Sequence, residues 1–357
     1  MKIIIATGGT GGHIFPAIET ACILRDRGHE VIFVGVLGLG EEKVKSLGFK
    51  SYGIKAKGLS NKSLGGIISF IWLMLRAVVQ SFKILMQVKP TKVVGFGGYG
   101  SFAVVFCAWC LRIPTMIHEQ NVVPGKANLF LSILVRKIAI SFYESQRYLG
   151  IDRIVLTGCP CHQKKPSSSR EDLLKKFSLE TNRKTILLLG GSQGSQKLNE
   201  IFFEAMSSWG NKIPVQVIHM TGPKECSLYV EKYQGFPFPV KVLGFINPIE
   251  EAYAISDVAI ARAGASTVCE LGFFRIPSIL VPYPLADGHQ KYNAQVLSKI
   301  DWAKIIEQKD LTKDILKRTL EDFLSGKYLF INSKIDKLFN GLAAQELATA
   351  VENLCLS

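Results

Sequence analysis

The chain has 357 residues, enough for two domains, and 48% are apolar against 20% charged, which excludes a disordered or low-complexity protein. Eight cysteines at irregular spacings, with no signal-peptide pattern at the N-terminus, argue against a disulfide framework and predict reduced thiols in a cytosolic compartment. Of the net charge of +14, residues 1–160 carry +11 (19 Lys and Arg against 8 Asp and Glu) and the remainder +3 (24 against 21); with no nucleic-acid-binding motif or basic helix, that asymmetry suits an anionic membrane surface or a polyphosphorylated substrate better than DNA or RNA.

Lys2–Ala6 is an apolar run of strand length, followed at once by Thr7-Gly8-Gly9-Thr10-Gly11-Gly12-His13. Ile14–Gly28 then has helical apolar spacing, with Gly28 as the stop. Strand-like runs recur at Val31–Gly35, Val93–Gly95, Pro114–His118 and Lys137–Ser141 with helical stretches between, the pattern of a parallel sheet covered on both faces. Two of these strands end in candidate functional loops. One is Gly95-Phe96-Gly97-Gly98-Tyr99-Gly100-Ser101, and the other is His118-Glu119-Gln120-Asn121, where Glu119 or His118 could do general acid/base work.

Between them, Gly66–Val88 is rich in Ile, Leu, Phe, Trp and Met but interrupted by Arg76 and Lys83, so it falls short of the ~20 successive apolar residues of a membrane span. An ordinary buried helix and a helix lying in a membrane surface both fit. The surplus of apolar side chains over what one face can bury favours the second.

A second cycle follows the polar linker Gln163–Ser169. Thr185–Leu189 is a strand, Gly190-Gly191-Ser192-Gln193-Gly194-Ser195 a second glycine turn, and a helix begins near Lys197; Val215–His219, Val240–Gly244, Asp257–Ala261, Ser278–Val281 and Ala303–Ile306 supply further strands. After Asp257–Ala261 the run Arg262-Ala263-Gly264-Ala265-Ser266-Thr267-Val268-Cys269-Glu270 opens a helix near Ser266, an arrangement that presents free N–H groups to phosphate. Glu270, one turn further in, suits ribose hydroxyls, and the next loop carries Asp287, His289, Gln290 and Asn293, groups that read a sugar.

The expected architecture is α/β, two Rossmann-like doubly wound parallel-sheet domains facing across a cleft: residues 1–160, then 161–340, with a final helix in 341–357 packing back on the first. No acidic residue stands where a nicotinamide cofactor would need one, at Gly35–Gly38, and no Gly-Lys-Ser/Thr follows either glycine turn to make a P-loop. No cofactor and no metal are expected. Cys159, Cys161 and His162 lack a second ligand pair nearby, and there is no Asp-x-Asp motif. His13, at the end of the first glycine turn with a side chain that titrates near neutrality, is the leading candidate base, with Glu119 orienting it or the acceptor; the reverse assignment stays open.

Gly8–Pro16, Gly95–Tyr99, His118–Asn121, Gly190–Gly194 and Arg262–Ala265 through Glu270, in this order, resemble the MurG family of peptidoglycan N-acetylglucosaminyltransferases, in glycosyltransferase family 28 and of the GT-B fold. The resemblance implies inverting transfer of N-acetylglucosamine from UDP-GlcNAc to lipid I, undecaprenyl-pyrophosphoryl-N-acetylmuramoyl pentapeptide, giving lipid II at the cytoplasmic face of the inner membrane beside the cell-wall synthesis machinery. By position it implies donor contacts from Thr10, Gly11, Gly12, Asn121 and Ser192, uracil near Phe245 and Ile246, diphosphate at Ala265, Ser266 and Thr267, ribose on Glu270, and sugar read by Gln290 and Asn293. Two positions depart from the family pattern. His162 stands where an arginine usually reaches the donor and lacks its fixed charge and fork; Gly100 stands where proline is common, which predicts a looser loop. Two rival functions fit the same scaffold: a nucleotide-sugar epimerase, which would need no lipid-facing helix, and a non-catalytic nucleotide-sugar binding module.

Overall fold

The computed structural model describes residues 1–56, 63–161, 163–210, 213–284, 288–328, 330 and 334–355, the side chains of Leu39, Leu64 and Ile151 excepted. The chain divides into two compact units, Met1–Cys161 with Leu342–Ser357, and His162–Gly341.

The first unit runs β1 (Lys2–Thr7), α1 (Gly11–Asp26), β2 (Glu30–Gly35), α2 (Glu41–Ser46), β3 (Lys50–Gly53), α3 (Leu64–Val88), β4 (Lys92–Gly95), α4 (Gly98–Cys110), β5 (Thr115–Glu119), α5 (Lys126–Ser132), β6 (Lys137–Ile140) and β7 (Ile154–Leu156). Its seven strands are parallel, in the order β3-β2-β1-β4-β5-β6-β7. Ile3, Ile4, Ile5 and Ala6 are all fully buried, because a strand between two helical layers has no solvent face. Ile3 and Ile5 join a cluster with Ile14, Ile18 and Leu24 of α1, whereas Ile4 and Ala6 join another with Ala77 and Leu85 of α3 and Val104 of α4.

The second unit runs α6 (Arg170–Lys176), β8 (Lys184–Leu189), α7 (Gln196–Ser207), β9 (Val215–Met220), α8 (Cys226–Lys232), β10 (Val240–Leu243), α9 (Ile249–Ile255), β11 (Val258–Ala261), α10 (Ala265–Phe273), β12 (Ser278–Leu280), α11 (His289–Ser298), β13 (Ala303–Ile305), α12 (Lys313–Leu324) and α13 (Lys334–Leu338). Its sheet is again all parallel, ordered β10-β9-β8-β11-β12-β13. The last helix, α14 (Ala343–Glu352), belongs to the first unit, where Leu347, Ala348 and Val351 complete the cluster on α1.

Two edge strands escape the apolar-run criterion: β3 is Lys-Ser-Tyr-Gly and β7 only three residues long. Among the described residues no disulfide joins any of the eight cysteines. In each sheet the strand order reverses at one point, between β1 and β4 and between β8 and β11, and it is there that open α/β sheets bind ligands.

Candidate active site

At the β1/β4 switch point two glycine clusters meet backbone to backbone. A Cβ on Gly8 would stand 2.9 Å from the Gly97 carbonyl oxygen, and one on Gly98 2.9 Å from the Gly8 Cα. The His13 imidazole is set into this contact, 3.3 Å from a Cβ on Gly8 and 3.1 Å from one on Gly97, so side chains at either glycine would crowd the ring. Gly97 and Gly98 also hold φ of +89° and +82°, which glycine adopts without strain. Gly100 does not loosen this loop. It lies buried in the first turn of α4, where a Cβ would come within 2.9 Å of the Val36 nitrogen and 3.1 Å of the Thr7 oxygen; close approach, not flexibility, is what glycine supplies there.

His13 Nδ1 lies 3.2 Å from Gln120 Oε1. Burial pulls its pKa below the ordinary 6.5, against the opposing pull of the Glu119 charge and of hydrogen bonding to Gln120 and the Phe96 carbonyl. The neutral ring, the form able to accept a proton, therefore persists to lower pH than usual. Thr10 caps α1 through backbone geometry alone, and the first turn carries no acidic residue. The backbone N–H groups of Gly11 and Gly12 thus sit at a helix end suited to an anion or a polar oxygen.

His118 and Glu119 have other tasks than the acid/base role expected of them. His118 is fully buried; its Nε2 donates to the Gly158 carbonyl at 3.0 Å and its Nδ1 accepts from Gln120 Nε2 at 3.1 Å, so neither nitrogen is left for substrate. Burial also lowers its pKa. Glu119, 1% exposed, accepts from the Asn121 backbone N–H (2.8 Å), Asn121 Nδ2 (3.2 Å), the Gly125 backbone N–H (3.0 Å) and Asn128 Nδ2 (2.8 Å). A carboxylate whose two oxygens are occupied by four donors organises the loop after β5. Asn121 is oriented by the same carboxylate, and its backbone carbonyl accepts from Ser145 Oγ.

In the second unit α10 begins at Ala265 with no side-chain cap and no acidic residue in its first turn, leaving the N–H groups around Ala265, Ser266 and Thr267 directed as a phosphate site requires. Glu270, 6% exposed, accepts from the Tyr253 hydroxyl at 2.7 Å. Ser192 is half-buried in the β8–α7 turn, which the Gly194 N–H closes onto the Gly191 carbonyl at 2.9 Å. Arg262, buried and given no role by the sequence pattern, ties these loops together: Nη2 donates to Ser195 Oγ (2.7 Å) and Gln308 Oε1 (2.6 Å), and Nη1 to the Val281 carbonyl (3.1 Å). After β10, Phe245 is 51% exposed and Ile246 buried beside a cavity of about 200 Å³, room for part of a planar base.

The sugar-reading amides need revision. Asn293 is fully buried with Nδ2 donating to the Ala263 carbonyl at 3.2 Å, so it shapes the loop before α10 and cannot touch a sugar in this arrangement. Gln290 Oε1 accepts from the backbone N–H groups of Ala263 (3.1 Å) and Tyr283 (2.9 Å), which leaves Nε2 as its donor to a ligand. His162 and Asp287 lie outside the described residues. Among the described residues no three His, Cys, Asp or Glu side chains are grouped as metal ligands.

Twin parallel sheets of this order, with glycine turns at both switch points, define the GT-B fold, and known proteins narrow the class. The glycosyltransferase family 28 N-terminal domain matches residues 3–140 and its C-terminal domain residues 185–349; the chain belongs to glycosyltransferase family 28. It is 37% identical to the UDP-N-acetylglucosamine--N-acetylmuramyl-(pentapeptide) pyrophosphoryl-undecaprenol N-acetylglucosamine transferase of Thermodesulfovibrio yellowstonii, over 99% of each chain. Among solved structures it is similar to Acinetobacter baumannii MurG, with a TM-score of 0.74 and 26% identity over 98% of this chain and 99% of that one. A putative UDP-N-acetylglucosamine 2-epimerase from Listeria monocytogenes shares the fold alone, with a TM-score of 0.70 and 12% identity over 98% of this chain and 95% of that one.

Proposed function

We propose that this chain transfers N-acetylglucosamine from UDP-GlcNAc to undecaprenyl-pyrophosphoryl-N-acetylmuramoyl pentapeptide, with inversion, to form lipid II. The observation that carries the chemistry is His13, an imidazole gripped on one nitrogen and held neutral by burial at the end of a glycine turn. The substrate pair is the one in the name of the 37% identical relative. We assign acceptor activation to residues 1–160 and donor binding to residues 161–340. As the acceptor hydroxyl oxygen bonds to the anomeric carbon, His13 takes its proton and the bond to the UDP oxygen breaks. The charge left on UDP is met by the N–H groups opening α10.

The acceptor is membrane-borne, and α3 supports peripheral attachment at the cytoplasmic face. Gly65–Val88 is long and apolar enough to cross a membrane by length and composition, yet Ala77, Ser81, Leu85 and Val88 form a buried stripe on the first unit's core. A helix docked by that stripe along its C-terminal half fits a place on the membrane surface better than one across it. Its other face exposes Ile68 (60%), Trp72 (59%) and Leu75 (60%), with Val79, Phe82 and Met86 continuing the surface, more apolar area than a solvent-facing helix carries without a partner.

The test supplies labelled UDP-GlcNAc with and without lipid I. Acceptor-dependent UDP release supports transfer; acceptor-free isomerisation would make the chain an epimerase, and binding without turnover a binding module.

A further inference from the structure

The loop His118–Asn121 holds a side chain that the reaction as described does not use. Gln120 is 2% exposed, and its amide sits between two histidines and two carbonyls. Nε2 lies 3.1 Å from the Phe96 carbonyl oxygen, 3.2 Å from the His118 carbonyl oxygen and 3.1 Å from His118 Nδ1; Oε1 lies 3.2 Å from His13 Nδ1. Carbonyl oxygens only accept, so the end of the amide facing them must be the NH2 group, and the amide cannot be turned round. Its oxygen then faces His13, and an oxygen only accepts, so the proton of the neutral His13 ring is on Nδ1. The lone pair is left on Nε2, which makes no hydrogen bond among the described residues.

On the other side His118 Nε2 lies 3.0 Å from the Gly158 carbonyl, which can only accept, so the His118 proton is on Nε2 and Nδ1 is left as an acceptor facing the same NH2 group. The histidines on the two sides of this amide thus carry opposite tautomers.

We infer that Gln120 is a positioning residue for the transfer, fixing His13 as the Nδ1–H tautomer with Nε2 left for proton acceptance, its own amide held in orientation by the Phe96 and His118 carbonyls. This rests on His13 being the base; the tautomer itself does not. Glu119 and His118 are the titratable groups acting on the His13 ring, and Glu119 is already committed to its four donors. Neither accepts the His13 proton, and of the two acceptors beside the ring, the Gln120 oxygen and the Phe96 carbonyl, the Gln120 oxygen is the one at hydrogen-bond distance from Nδ1, so without Gln120 the Nδ1–H tautomer loses its main support.

The test is imidazole nitrogen NMR on the full chain labelled at its six histidines, with His13→Gln used to identify the His13 signals. The expected result is a neutral His13 protonated on Nδ1 and a neutral His118 protonated on Nε2. In Gln120→Leu, His13 should become a tautomer mixture and kcat should fall about 10-fold or more with KM for UDP-GlcNAc nearly unchanged. In Gln120→Glu the carboxylate keeps the proton on Nδ1 but favours the charged ring, so the acid limb of the kcat profile should move to higher pH by about 1 or more. A His13 ring protonated on Nε2 in the parent, or a Gln120→Glu profile superimposable on the parent's, would overturn the inference. Full activity of His13→Ala would overturn the base assignment instead and leave the tautomer result standing. Should Gln120→Leu fail to fold, the parent spectrum and the isosteric Gln120→Glu decide the matter alone.

Discussion

The Tyr253 hydroxyl donates to Glu270 Oε2 across 2.7 Å, joining α9 to α10 in the second unit. One carboxylate oxygen is thereby anchored, so the group presents a fixed pair of acceptor sites instead of a swinging one. If it binds both ribose hydroxyls, Glu270→Ala should weaken UDP-GlcNAc binding by about 2 kcal/mol, the range for hydrogen bonds to a charged group, and abolish discrimination against a 2′-deoxy donor. Tyr253→Phe removes only the anchor and should cost about 1 kcal/mol. Calorimetric titration of the three proteins checks this, and equal affinities would take Glu270 out of the site.

The turns and their order were legible because each strand-glycine-helix unit is written locally: apolar runs fix the strands, and Gly8–Gly12, Gly97–Gly98 and Gly264 mark where backbone comes close or a helix opens. His13 and Glu270 could be named for the same reason. What escaped was set by side chains from distant segments. Gln120 reads as one more polar loop residue until Phe96, 24 positions away, is seen to fix its amide. Glu119 reads as a base until its four donors are counted, and Asn293 as a ligand-reading amide until its carbonyl partner 30 residues back appears. Arg262 opens the run that leads into α10, yet its reach to Ser195 and Gln308 is a tertiary fact.

Glu119 should prove structural first. In Glu119→Gln one oxygen becomes an NH2 group facing donors, so at least one of the four hydrogen bonds turns into a donor–donor contact in a buried site. Stability should fall by about 2 kcal/mol or more, read by urea denaturation. A variant of parental stability with activity lost would return Glu119 to the list of candidate bases.

The docking of α14 should weaken in acid. Glu352 accepts from His29 Nε2 at 2.8 Å and from Arg27 Nη1 at 2.7 Å, while Arg27 also reaches Thr349. The hydrogen bond from His29, and then Arg27, hold the Glu352 carboxyl below its ordinary 4.5. A group whose folded pKa is depressed stabilises above the unfolded value and loses that contribution as pH falls through the folded one. Glu352→Gln should therefore be less stable than the parent at pH 7, by up to about 1 kcal/mol for so accessible a pair, and the gap should close below pH 4.5. A gap that stays open well below pH 4.5, where the carboxylate is protonated, would contradict the pairing.

Membrane attachment should have two separable parts. The basic first unit should bind anionic vesicles with a strength that falls as salt rises, each basic residue near the surface adding about 1 kcal/mol. The exposed face of α3 should leave a residue of binding that salt does not remove. Replacing Ile68, Trp72 and Leu75 together by Ser should abolish that residue without unfolding the protein, since none belongs to the buried stripe. Sedimentation with vesicles of graded anionic content checks both parts; binding indifferent to anionic lipid would remove the electrostatic part.

The chemistry turns on His13. An inverting transfer needs a group to take the acceptor's proton while UDP departs from the opposite side of the sugar carbon, and loss of a general base typically costs 10²–10⁴-fold in rate. His13→Ala should lower turnover by about that factor and leave UDP-GlcNAc affinity within about a few-fold, because the ring is assigned to the acceptor and not to the donor. Because burial lowers its pKa, the parent's kcat should hold at neutrality and fall only below pH 6.5, as the neutral ring takes up a proton. The leaving charge falls on the N–H groups opening α10, a stabilisation that requires no divalent ion, so turnover should persist in excess chelator. Near-parental turnover in His13→Ala would move the base elsewhere; reversible loss of activity in chelator would show that the helix terminus does not carry the leaving charge alone.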